Sequence, residues 1–108
     1  MSKLEAAFHQ EMLDTCREAA KLGYRPTRFL QMVNGDGGVA TAHRLLATGG
    51  PADGLARLWE LGRLDISLEA IVLKPEYRSL FSDEERSIAR ERLAEIRYKA
   101  SWDVERTS

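Results

Sequence analysis

Few residues in this chain have the chemistry for catalysis or metal binding, and their spacing argues against both roles. The 108 residues include two histidines, His9 and His43, and one cysteine, Cys16. A histidine site needs partners at fixed spacing, as in H-E-x-x-H, and neither histidine has them. His43 lies beside Val39, Ala42 and Leu46 and reads as a packed or boundary histidine. His9 falls off the apolar stripe of its segment and reads as solvent-exposed. Cys16 falls on that stripe, far from any helix start. A nucleophilic thiol needs a nearby His and a helix N-terminus, whereas a buried free thiol acts as a small hydrophobe. The second reading fits Cys16. A single cysteine also excludes an intrachain disulfide and a cysteine-based zinc site, and the expected compartment is the cytoplasm. No catalytic residue, metal ligand, cofactor or small-molecule substrate is expected.

Two glycine-rich stretches precede helices, "NGDGG" at 34–38 and "TGGP" at 48–51. Such loops can cradle phosphate through their amides. Neither carries the lysine and hydroxyl of a P-loop, and "NGDGG" lacks the repeated oxygen ligands of a calcium loop. Both read as interhelical turns. A helix-turn-helix-like unit at 26–47 is the more serious candidate. Its second helix would offer Thr41, His43 and Arg44 to bases or phosphates, with Arg25 and Arg28 adding backbone contacts. Two features weigh against it. The glycine stretch is longer than the usual turn, and Arg44 is the one certain cation on the reading helix, although phosphate charge supplies much of DNA affinity.

The net charge of −1 provides no bulk attraction to nucleic acid or to an anionic membrane. Residues 21–63 are nonetheless mildly basic, with Lys21, Arg25, Arg28, Arg44, Arg57 and Arg63 against Asp36, Asp53 and Glu60. Hydrophobic residues make up 44% and charged ones 31%, a composition that folds. The N-terminus lacks the apolar run of a signal peptide, and the longest apolar run, "AIVL", is too short to cross a bilayer.

The elements that must position these residues are all helical, because apolar spacing is three and four throughout. Leu4, Phe8, Met12, Cys16, Ala19 and Leu22 place a helix over 2–22. Gly23, Tyr24 and Pro26 mark its end with a Schellman-type cap. Helices follow over 26–33, 38–47 and 51–62, with Asn34 and Gly35 as a left-handed stop, Asp36 as N-cap of the third, and Pro51 in the first turn of the fourth. "SLEAIVLK" is apolar on every side, so a short helix at about 67–74 should be buried. Trp59, Leu55 and Leu58 are expected to pack on it, with Trp59→Ala costing about 3–5 kcal/mol. Ser67 or Asp65 would cap it, and Arg63 would bond the carbonyls ending the previous helix. "SDEE" at 82–85 is a capping box that opens a last helix, with Ile88, Ala89, Leu93, Ile96 and Ala100 as its buried stripe.

The segments "GGVATAHRLL", "GLARLWELGRLDISLEAIVL" and "LFSDEERSIARERL" resemble a family of small bacterial helical proteins and domains of unassigned activity. Its members occur alone or appended to larger proteins, including restriction-type or HNH nucleases. The likeness spans about residues 24–96 and carries over no catalytic residue. It implies an accessory role in a nuclease or defence setting. The whole chain is expected to be all-α: a compact bundle of five or six helices over 1–101, with longer first and last helices and a polar tail at 102–108. Its expected role is a non-enzymatic interaction module, with DNA binding as the alternative. The partner would be an unidentified protein or a second copy, nucleic acid being possible and a membrane not. The candidate surface comprises Arg25, Arg28, Thr41, His43, Arg44, Arg57, Arg63 and Lys74.

Overall fold

The computed structural model describes residues 2–48 and 53–103. Among them are six α-helices, two 3₁₀ helices and no strand: α1 Lys3–Lys21, α2 Thr27–Asp36, α3 Gly38–Ala47, α4 Asp53–Glu60, α5 Leu68–Val72 and α6 Asp83–Glu95, with 3₁₀ turns at Leu64–Ile66 and Pro75–Leu80. The all-α bundle expected from periodicity is what forms.

Local chemistry sets most boundaries. Ser2 Oγ accepts from the Glu5 amide at 3.0 Å and Glu5 accepts from the Ser2 amide at 3.2 Å, a capping box that opens α1. Its end is the expected Schellman cap. Gly23 has φ +90°, its amide bonds Ala20 O, and the Tyr24 amide reaches back to Ala19 O. The second capping box, Ser82 with Glu85, opens α6 as expected.

The "NGDGG" stretch works differently from the expectation. Asn34, Gly35 and Asp36 remain helical in α2, and the stop is Gly37, with φ +92°. Asp36 therefore does not cap α3. A side chain at Gly37 would meet backbone strain. Gly38 is small for another reason: a Cβ there would lie 2.7 Å from His9 Cα. The two helices α1 and α3 cross in contact at this point, and Gly38 permits that crossing.

The short central helix is buried as expected. Every residue from Leu68 to Leu73, Glu69 included, is no more than 9% exposed. Ser67 caps it, accepting from the Ala70 amide at 3.1 Å while donating to Leu64 O at 2.7 Å. Asp65 does not cap, and Arg63 does not reach helix-end carbonyls with its side chain. The two pair with each other instead, Arg63 Nε donating to Asp65 at 3.0 Å. α5 packs mainly on α6, while α1 packs on α3 and α2. Phe8 lies at the centre, edge-on to Tyr77 and Phe81 at ring-centre distances of 5.0 and 5.1 Å.

Two expectations fail in instructive ways. Trp59 is 58% exposed and forms no part of the core, although Leu55 and Leu58 are buried as expected. The buried stripe of α4 runs from Leu55 to Leu58 towards the half-buried Leu61. Trp59, one step beyond Leu58, points off it. The cost of about 3–5 kcal/mol for Trp59→Ala lapses with its burial. Next, α6 ends at Glu95 and not near Ala100, because Arg97 adopts φ +57° and the Tyr98 amide bonds back to Leu93 O. That is a Schellman cap without glycine. It turns the chain so that Trp102 Nε1 donates to Ala70 O at 2.6 Å and Asp103 is buried. Trp102 and Asp103 thus belong to the fold and not to a polar tail. The Pro51 position and residues 104–108 lie outside the described residues.

Candidate functional site

The buried titratable side chains come together to tie separate segments of the chain. Glu69 on α5 and Arg92 on α6 form a buried ion pair at 3.3 Å, and Arg92 also donates to Thr48 O at 2.7 Å. Asp103 accepts two bonds from Arg90, at 2.7 and 2.9 Å, with Arg86 4.0 Å away. The like-charged pair Arg86–Arg90, unfavourable by helix spacing alone, is thereby given a common counter-ion. The bonds from Arg90 hold the Asp103 carboxyl below the usual carboxylate range, against burial, with Arg86 and Lys99 assisting. Burial is also what pulls the Arg86 guanidinium below its ordinary value, with Arg90 and Arg78 adding repulsion. Glu11 on α1 accepts from Tyr77 Oη and from Lys74 Nζ, the latter at 2.9 Å, and Lys74 lies 5.0 Å over the Trp102 ring. Burial, then the bond to Glu11, raises the Tyr77 phenol well above its ordinary value.

The histidines are joints of the same kind. His9 is half-buried and not solvent-exposed. Its Nδ1 accepts from the Gly38 amide at 2.9 Å and so caps α3 from a neighbouring helix. His43 Nδ1 donates to Glu85 Oε2 and its ring tilts against Phe81 at 5.2 Å. Burial acts to raise the Glu85 carboxyl, but the His43 and Ser82 hydrogen bonds outweigh it and hold it low. Cys16 is buried, and burial pushes its thiol up to about 11, which leaves it unreactive near neutrality. Among the described residues no group of three His, Cys, Asp or Glu side chains could hold a metal ion, and no helix is long and apolar enough to cross a membrane.

One feature has no such internal purpose. A groove of about 910 Å³ lies between α2, the end of α3, α4 and the start of α5. Leu55, Leu58 and Leu68 contribute to its floor, and Phe29, Met32 and Leu45, each half-buried, to its walls. Arg25, Arg28 and Arg44 also line it. Arg25 and Arg28 are exposed and have no ion-pair partner among the described residues. Arg44 pairs with Asp36 at 3.2 Å but its side chain remains 63% exposed. The one acid among the described lining residues, Glu69, is neutralised by Arg92. The groove is therefore apolar within and positive at its edge.

The structure brings three of the eight sequence-predicted surface residues, Arg25, Arg28 and Arg44, to this one place. Arg57 stands beside it, its guanidinium 5.7 Å from the centre of the Tyr24 ring and bonded to Glu60 at 3.1 Å. Thr41 is fully buried, with a hydroxyl that finds no partner among the described residues. His43 is held by Glu85, Arg63 by Asp65, and Lys74 by Glu11. Phe29 and Met32 were not legible as surface residues. The available signal was α2 itself: "TRFLQMV" carries apolar residues on several sides, yet only Val33 is fully buried. No family model matches the chain, and no curated protein or solved structure matches it.

Proposed function

We propose that this chain is a non-enzymatic interaction module whose working surface is the arginine-edged groove beside α2. The observation that carries the reading is the contrast in charge pairing. Elsewhere most buried or half-buried charges are bonded to another segment of the chain, while Arg25 and Arg28 are exposed beside apolar side chains that the fold leaves half-covered. Interfaces favour such a combination, with aromatic, Met and Arg side chains enriched and acids depleted. The resemblance to domains appended to restriction-type or HNH nucleases directs the search for a partner towards a nuclease or defence protein.

DNA binding through 26–47 is supported less well. Of the three side chains expected to read bases, Thr41 is buried, His43 bonds Glu85 and Arg44 bonds Asp36. Self-association is also supported less well: the apolar faces of the two longest helices, α1 and α6, are covered within the chain. A photo-crosslinking residue placed at Met32, in native cells, tests the proposal. The expected result is a discrete protein adduct that is missing when the same residue is placed at the exposed Ser87 on α6. Equal labelling at both positions, or adducts to nucleic acid, would count against it.

A further inference from the structure

We infer that the occupant of the groove is an acidic amphipathic helix of a partner protein, an inference that rests on the groove being the working surface. Three observations define this guest. The edge is positive: Arg25 and Arg28 lack acidic partners among the described residues, Arg44 has one, and the only described acid in the lining is already paired with Arg92. A guest with carboxylates along its flank gains charge complementarity, and one with lysines meets repulsion. The interior is apolar and includes Phe29 and Met32, the latter a flexible side chain that adapts to varied apolar anchors. The walls are helix side chains, and no strand exists among the described residues to offer a free edge. An extended guest would leave backbone amides and carbonyls unpaired against Leu, Phe and Met. A helix satisfies its own backbone and presents anchors at i, i+3 or i+4, and i+7.

Nucleic acid fits these observations less well. Its affinity comes chiefly from many phosphate contacts, and here three arginines flank a mostly apolar lining, in a chain of net charge −1.

The test is selection of a displayed random 16-residue peptide library on the folded chain, alongside random single- and double-stranded DNA pools. Enriched peptides are expected to carry more Asp and Glu than Lys and Arg, with apolar residues at helical spacing. Their binding should shift the amide resonances of Phe29, Met32 and Leu45. Arg25→Gln with Arg28→Gln should weaken them, and Arg25→Glu with Arg28→Glu should weaken them further, by about tenfold or more. Enrichment of basic or extended peptides, of no peptide, or of peptides indifferent to both double variants overturns the inference. DNA enriched in place of peptide, with affinity falling steeply with salt and lost in the same variants, overturns it in favour of nucleic acid. If peptides fail while the Met32 protein adduct persists, the groove remains the working surface and only the acidic helix is wrong.

Discussion

The two sides of this small protein use their buried and groove-lining charges differently. Around α5, α6 and the segment after it, carboxylates are matched across distant segments of the chain: Glu69 with Arg92, Asp103 with Arg90, Glu11 with Lys74 and Tyr77. Around α2 and α4, Arg25 and Arg28 have no such match among the described residues, Phe29 and Met32 are half-covered, and Trp59 is 58% exposed. On the first side these pairs tie distant segments of the chain to one another. The second has the composition of a surface awaiting another molecule. The difference teaches that the charges which looked most like a binding surface in sequence must be sorted by their partners and not by their sign. Lys74, Arg63 and His43 are tied to other side chains of the fold, whereas Arg25 and Arg28 have no acidic partner among the described residues.

Mutations can break or sharpen that contrast. The largest effect is expected for Arg92→Met, which leaves Glu69 buried without its counter-charge and Thr48 O without its donor. Denaturant melts should show a loss of about 3–5 kcal/mol. Gly38→Ala comes next, since its methyl would press on the His9 backbone at 2.7 Å. Overpacking of this kind costs about 1–3 kcal/mol, read in the same melts. A smaller effect is set by pH. The Asp103 carboxyl is held low chiefly by Arg90, so its contribution is present above the unfolded carboxylate value of about 3.9 and is lost as pH falls through its lower folded value. Asp103→Asn should therefore be less stable than the parent at neutral pH, with the gap narrowing as the solution is acidified. The smallest effect is expected for Trp59→Ala, whose melting should lie within about 0.5 kcal/mol of the parent.

How much of this was legible follows from the range of each interaction. The caps at Ser82 and Gly23 were readable, and that of α5 was narrowed to Ser67 or Asp65, because a cap involves residues within a few positions of one another. The burial of "SLEAIVL" was readable because an unbroken apolar surface has one outcome. Trp59 was misread because an eight-residue helix shows too few turns to say which side of Leu58 its stripe continues. The capping role of His9 depends on Gly38, 29 residues away, and the anchoring role of Asp103 on an Arg97 turn that carries no glycine signal. The groove was half legible. Its arginines stood in the basic middle of the chain, but its apolar walls could be told from core only once Val33 was seen to take the buried place on α2.

The central claim is that recognition and stability reside on different sides of the molecule, and Arg25→Glu with Arg28→Glu tests it most directly. The thermal midpoint and the Met32 photo-adduct should be measured on the same double variant. The expected result is an unchanged midpoint and a lost adduct. A lowered midpoint with the adduct intact would contradict the account, because these arginines would then belong to the fold and not to the partner.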